Sequence, residues 1–314
     1  MKYARTIKIL LNRIKMNFKK FPNRRPPRPI PVVKPELDRF LRCDQSQAMW
    51  FGHSTVLIQI EGKTILCDPV LTELFFLFTI FTGKKFTAEL PLTIEEVPSI
   101  DILLLSHNHY DHMDRRTIMA LKNKVKHYCV PQGVGACLEK WGIRKADITE
   151  LSYGQTLYTS DLILTCTPSS HFSGRALNDR NKTLWCSWVI AGKETNIFFS
   201  GDGGYGPHLK EIGDKHGPFD ITFMECGQAN TFFGQIHMIP EKAIQAQLDL
   251  KGKLMVPIHW GMFSQSNTDW TAQVERLLSE AQQKGVQVAT PMIGEVITIG
   301  ADKYPNLSWW RNYR

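Results

Sequence analysis

The stretch Ile102-Leu103-Leu104-Leu105-Ser106-His107-Asn108-His109-Tyr110-Asp111-His112 sets four consecutive aliphatic residues against three histidines and a carboxylate spread over six positions. The aliphatic run reads as an apolar strand, and the polar run follows directly after it. So many imidazoles and a carboxylate are costly to explain as packing, because each must find a partner if it is buried. In an extended loop His107 and His109 project to one side, so both rings can reach the same metal ion. Asp111 and His112 follow where the chain turns toward a helix, and can serve a second ion beside the first. Imidazole and carboxylate donors suit zinc, and iron or manganese accept the same ligand types.

Further ligand candidates stand in comparable places, each just after a predicted strand. His171 lies in Pro168-Ser169-Ser170-His171, after 162–167, and Asp202 lies in Ser200-Gly201-Asp202-Gly203-Gly204, after 196–200. His259 lies in Ile258-His259-Trp260-Gly261, after 254–257. Residues at the same ends of neighbouring strands can converge on one point, and glycines around Asp202 let backbone approach closely. Other strands are expected at 48–51, 55–60, 63–68, 101–105, 126–130, 184–191 and 221–225, with helices at 115–122, 133–141, 241–250 and 270–284. Hairpins first, then strand–helix alternation, imply sheets covered by helices.

The chain has 314 residues, enough for one large or two ordinary domains, and a formal charge of +8. That charge is local. Residues 1–34 carry eleven Lys or Arg and no acidic residue, while the remaining 280 carry 27 basic and 30 acidic side chains. A basic nucleic-acid groove on the main body is therefore not expected. Seven cysteines, odd in number and never spaced CxxC, argue against a disulfide framework or a zinc ribbon and for a reducing, cytoplasmic compartment. No apolar stretch reaches the roughly 18 residues of a membrane span. The longest run, Leu74-Phe75-Phe76-Leu77-Phe78-Thr79-Ile80-Phe81, is too short to cross a bilayer.

Residues 1–46 read as a basic amphipathic helix followed by a proline-rich connector, and 47–314 as the catalytic domain. Tyr3, Ile7, Leu10, Leu11, Ile14 and Phe18 recur at helical spacing among Lys and Arg, and six prolines between Pro22 and Pro35 imply an extended, semi-rigid connector. A basic amphipathic helix and an exposed Phe-rich tip both suit peripheral association with a membrane surface. A solvated or targeting arm for the first, and buried core for the second, are the alternatives.

With these residues in view, the chain resembles the metallo-β-lactamase superfamily. Within it the chain is similar to the branch of N-acylphosphatidylethanolamine-hydrolysing phospholipase D and its bacterial relatives. The resemblance rests on Trp50-Phe51-Gly52-His53, Asp68-Pro69, His107-Asn108-His109-Tyr110-Asp111-His112, His171, Ser200-Gly201-Asp202, Gly217-Pro218-Phe219-Asp220 and His259-Trp260-Gly261. It implies an αββα sandwich with the site at one edge and two zinc ions per chain. His107, His109 and His171 would hold one ion and Asp111, His112 and His259 the other, with Asp202 bridging them. Water shared by two such cations ionises near neutral pH, since one zinc alone lowers its pKa to about 7. The implied reaction is hydrolysis of a phospholipid phosphodiester on the head-group side. A lactone or phosphorylated sugar lactone is the nearer alternative substrate, and a metal- and lipid-binding protein without turnover the farther one.

His237, in Ile236-His237-Met238-Ile239-Pro240-Glu241, aligns with a substrate-side position of the branch, where it would steady developing charge or donate a proton. Its other reading is a loop histidine capping the following helix. His53 reads either as support for a metal ligand or as a buried structural histidine. Two departures from the branch bear on the pocket: Gly203 where relatives have Thr, and Gln228 where a Tyr is usual.

Overall fold

The computed structural model describes residues 22–72, 84–176, 178–228 and 235–314. The expected N-terminal amphipathic helix and the Phe-rich run at 74–81 lie outside those residues. Two seven-stranded sheets are built alike, each an antiparallel meander that continues into parallel strands. In the first, β1 (Gln47–Trp50), β2 (Val56–Ile60) and β3 (Lys63–Cys67) pair antiparallel. Parallel strands β4 (Ile100–Leu104), β5 (Val125–Pro131) and β6 (Ile148–Leu151) then extend it. In the second, β7 (Thr156–Tyr158), β8 (Ile163–Thr167), β9 (Ser187–Ala191) and β10 (Asn196–Phe199) are antiparallel. There β11 (Phe219–Glu225), β12 (Gly252–Ile258) and β13 (Gln287–Val288) run parallel. The last strand, β14 (Val296–Thr298), returns to close the free edge of β1.

Side-chain alternation shows why these strands read as nearly unbroken apolar runs. Ala48, Trp50, Val56, Ile58, Ile60, Ile102 and Leu104 join the cluster that unites both sheets. Their sequence neighbours Met49, Leu57, Leu103 and Leu105 join a second cluster on the other face. That outer face is covered by α1 (Leu37–Leu41), α2 (Arg115–Leu121) and α3 (Gly135–Lys140), through Phe40, Ile118, Leu121 and Leu138. The second sheet is covered by α4 (Pro207–His216), α5 (Pro240–Asp249) and α6 (Ala272–Lys284), through Leu209, Ile212, Ala243, Ile244, Val274 and Leu277. The order is helix, sheet, sheet, helix: the αββα class expected from the resemblance.

Local chemistry starts and stops the helices. Asp114 caps α2, accepting from Thr117 N at 2.9 Å and from the Thr117 hydroxyl at 2.7 Å. Pro207 and Pro240 open α4 and α5, and Gly285 ends α6 in the left-handed conformation. Residues 22–35 form neither helix nor strand, opening with a turn at Pro22–Asn23 and bends at Arg24–Arg25 and Pro27–Arg28, and they are docked on the domain rather than standing off it. Ile30 is buried, and its N–H donates to Phe86 O at 2.8 Å. Behind one sheet edge Trp50, Trp260, Trp270, Trp309 and Trp310 pack ring against ring, with Trp50–Trp260 and Trp260–Trp309 centroids 5.4 and 5.6 Å apart.

Candidate metal centre

Loops leaving the C-terminal ends of β3, β4, β8, β10, β11 and β12 meet at one edge of the sandwich. Asp68, just after β3, is fully buried, and its backbone is left-handed (φ 42°). Its carboxylate accepts from Ser106 N (2.7 Å), Ser106 Oγ (2.5 Å) and His112 Nδ1 (2.8 Å). Burial pushes this carboxyl up, against the pull of His112 and Ser106. Because Ser106 gives its hydroxyl proton to Asp68, it accepts from His107 Nδ1 at 2.9 Å. Asp68 therefore sets the tautomer of His112 directly and that of His107 through Ser106, leaving Nε2 of each ring as a lone pair.

His171 donates from Nδ1 to Ile236 O at 2.9 Å, so its Nε2 also points inward as a lone pair. His109 Nδ1 lies 2.8 Å from His107 Nε2 and 3.2 Å from His171 Nε2. His107, His109 and His171 thus form one cluster able to hold a metal, and His53, Asp111, His112 and His259 form another. Asp202 stands between the two. Its Oδ2 is 3.0 Å from His259 Nε2, 3.1 Å from His112 Nε2, 3.7 Å from His171 Nε2 and 3.9 Å from His107 Nε2. All seven residues named as ligands from the sequence are therefore brought together.

Glycines make room for this. Gly201 is left-handed (φ 54°), and a Cβ there would fall 2.5 Å from Ser106 Cβ. At Gly203 a Cβ would fall 2.2 Å from Ser169 Oγ, which donates to Asp202 O at 2.6 Å. Glycine in place of the Thr expected at 203 thus belongs to a tighter turn around Asp202.

The electrostatics favour a cation. Burial pushes His107 well below the ordinary histidine range, His109 to about 4 and His171 to about 3, keeping these rings neutral as ligands must be. Burial also opposes charge on His112, yet the charges of Asp202 and Asp111 hold it well above its usual value. Burial would raise Asp202, but His112 and His259 hold it well below the carboxylate range. The two carboxylates thus draw positive charge to His112, and a metal ion at the same nitrogen would supply it. Among the described residues His112 Nε2, His259 Nε2 and Asp202 Oδ1 are buried without a hydrogen-bond partner. Such atoms are expensive to leave unpaired, and imidazole and carboxylate donors fit a divalent metal.

His53 is buried against this centre, its Nε2 3.1 Å from Asp111 Oδ2 and its ring 4.3 Å from that of His259. His237 is hydrogen-bonded through Nδ1 to Glu225 Oε1, with its ring 5.0 Å from His171 and 5.4 Å from His259. It does not cap α5, which follows Ile239 without a side-chain cap. Burial works against a charge on His237, but Glu225 more than offsets it and pushes the ring up to about 9. Glu225 is fully buried, and its other oxygen accepts from Gly203 N at 2.7 Å. Asp68, Ser106, Glu225 and Gln265, which donates to Asp111 Oδ2 at 2.6 Å, carry roles that the sequence reading does not assign. Asp68 and Glu225 share the signal that finds Asp202, a carboxylate closing an apolar strand.

The beta-lactamase superfamily domain matches residues 63–260. A protein of Mycobacterium tuberculosis, itself uncharacterised, is 39% identical over 295 residues, covering 91% of this chain and 77% of that one. The N-acyl-phosphatidylethanolamine-hydrolyzing phospholipase D 1 of Caenorhabditis elegans is 30% identical over 286 residues, covering 85% of this chain and 80% of that one. Igni18, a metallo hydrolase of Ignicoccus hospitalis, superposes with a TM-score of 0.60 at 16% identity, over 82% of this chain and 100% of that one. That last likeness is one of fold.

Proposed function

The chain belongs to the metallo-β-lactamase superfamily, and from its similarity to phospholipases D of that superfamily we propose that this metal-dependent hydrolase cleaves N-acylphosphatidylethanolamine-like phospholipids. Cleavage falls on the head-group side and leaves phosphatidic acid. We assign it two zinc ions, one on His107, His109 and His171, the other on Asp111, His112 and His259, with Asp202 shared. The observation that carries this assignment is the place of Asp202 Oδ2, within 3.0–3.9 Å of imidazole nitrogens from both clusters.

When bound, the ions supply Lewis-acid polarisation of the phosphoryl oxygen and an ionised water near neutral pH. The chain's own residues do the rest. Asp68 and Ile236 O fix the tautomers of His112, His107 and His171. His53 and Gln265 donate to Asp111 and hold its carboxylate in one orientation. His237, kept charged by Glu225, sits at the rim of the centre. There it can steady negative charge on the phosphoryl group and give a proton to the departing head-group oxygen. The water oxygen bonds to phosphorus, the phosphorus–oxygen bond to the head group breaks, and N-acylethanolamine leaves as the alcohol.

A lipid substrate places the protein at a membrane surface. Among the described residues no helix is long and apolar enough to cross one, and contact at the surface from one side is the mode we assign. Mass spectrometry of zinc-loaded protein with N-acylphosphatidylethanolamine vesicles tests this, with Asp111→Asn as control. Release of N-acylethanolamine and phosphatidic acid by the wild type alone is expected. No release from protein holding two metals per chain overturns the lipid assignment in favour of lactones or small phosphodiesters.

A further inference from the structure

The connector at 22–35 reads as a spacer, yet it lies along the loop between β12 and α6, which forms one wall of the metal centre. Asn23 O accepts from Trp270 N at 2.9 Å, and Asn23 Nδ2 donates to Asp269 at 3.3 Å. Arg24 Nε donates to Ser264 Oγ at 2.7 Å and to Ser266 O at 3.1 Å. At the loop's start, Phe86 N donates to Met262 O at 2.9 Å while Phe86 O accepts from Ile30 N at 2.8 Å. From within, Gln228 Oε1 accepts from Gln265 N at 2.6 Å and Ser266 N at 3.2 Å, and its Nε2 donates to Thr268 O at 2.9 Å.

Gln265 sits between these grips. It is the residue whose amide reaches Asp111 Oδ2 at 2.6 Å, an oxygen it shares with His53. From Ser264 to Asp269 the loop is Ser-Gln-Ser-Asn-Thr-Asp, without an apolar side chain to bury and without a regular hydrogen-bond ladder. Ordering such a segment costs conformational entropy that only fixed external partners can offset. Arg24 from outside and Gln228 from inside are such partners for 264–268, while Asn23 and Arg314 hold Asp269 at its end.

We infer that Arg24 is a positioning residue of the metal centre, holding the 264–268 segment so that Gln265 stays on Asp111. The connector is on this account part of the active site. The inference rests on the assignment of Asp111 as a metal ligand. Residues that hydrogen-bond a ligand change metal affinity by about 10–100-fold when removed, so the effect is readable without turnover.

The test uses full-length protein loaded with zinc, competed with a chromophoric chelator, and the visible spectrum of the cobalt(II)-substituted form. Gln265→Ala and Arg24→Ala are each expected to weaken zinc retention by about tenfold, at the low end of that range, and to alter the cobalt spectrum alike. Because both act through one hydrogen bond, the double variant is expected to be no weaker than Gln265→Ala alone. Arg24→Lys, the milder variant should Arg24→Ala fold poorly, keeps a donor to Ser264 and is expected to recover most of the loss. Lys34→Ala removes a charge from the same connector, where Lys34 reaches Leu90 O and Glu89 and not the loop, and is expected to match wild type. Effects of Arg24→Ala and Gln265→Ala that multiply overturn the inference, as does loosening by Lys34→Ala equal to that by Arg24→Ala. Wild-type protein that takes up no zinc overturns the metal assignment itself, and the inference with it.

Discussion

Replacing Asp68 by Asn tests whether the buried carboxylate, which touches no proposed substrate position, controls the metal centre. The backbone is indifferent to the change, since Asn tolerates the left-handed conformation (φ 42°) as well as Asp does. The volume is unchanged too. What changes is that one of two acceptors becomes a donor, facing three groups that all donate: Ser106 N, Ser106 Oγ and His112 Nδ1. An amide nitrogen placed toward Ser106 N–H would clash with a donor that cannot turn. Placed at the other position, it meets a hydroxyl that can rotate and an imidazole that can change tautomer. The second arrangement is the cheaper, and it moves the His112 proton to Nε2, the nitrogen proposed to bind metal. Loss of a support of this kind costs about 10–100-fold in metal affinity, or about 1.4–2.7 kcal/mol. Zinc affinity by competition with a chromophoric chelator, beside circular dichroism to show a folded protein, is the assay. Affinity and hydrolysis within twofold of wild type, in a folded Asp68→Asn variant, would refute the tautomer argument.

Three further outcomes are expected. Chelation should abolish hydrolysis and lower the melting temperature, with zinc restoring both, since a ligand at 100 times its Kd stabilises by about 2.7 kcal/mol; calorimetry that shows no shift would count against a metal in this cluster. His237→Gln should lower kcat by about 10²–10⁴-fold while metal content by mass spectrometry stays at wild-type level, and Glu225→Gln should act in the same direction. Metal lost on His237→Gln would make that residue a ligand instead. Gly203→Ala should lower stability to urea by about 1 kcal/mol, because Ser169 must leave Asp202 O, and adding Ser169→Ala should recover part of it.

The strands on which the site stands are legible in the sequence because both of their faces are buried. Ile102 and Leu104 join one cluster and Leu103 and Leu105 the other, so burial writes an unbroken aliphatic run. The edge strands are not. Ile148-Thr149-Glu150-Leu151 of β6 and Thr156-Leu157-Tyr158 of β7 carry half-exposed polar residues, and a short mixed run reads as loop. Helix α4 is hidden by Pro207 at its start and Gly213 within it. In the site, clustered histidines are legible because their density has no packing explanation, whereas Glu225 becomes meaningful only when His237, twelve residues on, folds back against it. Gln265 and Asp111 are 154 positions apart, and nothing local to either announces the contact. The connector is read from its prolines, which lack N–H groups; its docking uses Ile30 N, carbonyls and arginine side chains, which proline content does not report.

The unusual backbone positions around the centre show what its geometry demands of the rest of the fold. His53 (φ 52°), Asp68 (φ 42°) and His259 (φ 67°) are all left-handed residues other than glycine. Such positions cost about 1–3 kcal/mol each and persist only where the surroundings over-determine them. Here the surroundings can be named. His53 N donates to Trp260 O at 2.8 Å and His259 N to His53 O at 2.7 Å, so the two strained turns hold each other. Trp50 Nε1 donates to the same His53 carbonyl at 2.8 Å, and Trp50 stacks on Trp260. Trp260 in turn packs on Trp309 and Trp310, and Trp310 is tied to α6 through Glu275 at 2.9 Å. Each such aromatic pair adds about 0.5–1.5 kcal/mol beyond its burial, enough in sum to offset strain of this size. The tryptophan stack and the two histidine turns are therefore one mechanical unit. The turn at Trp309–Tyr313, remote in sequence from every candidate ligand, contributes to the metal centre by fixing the backbone that aims His53 and His259 inward.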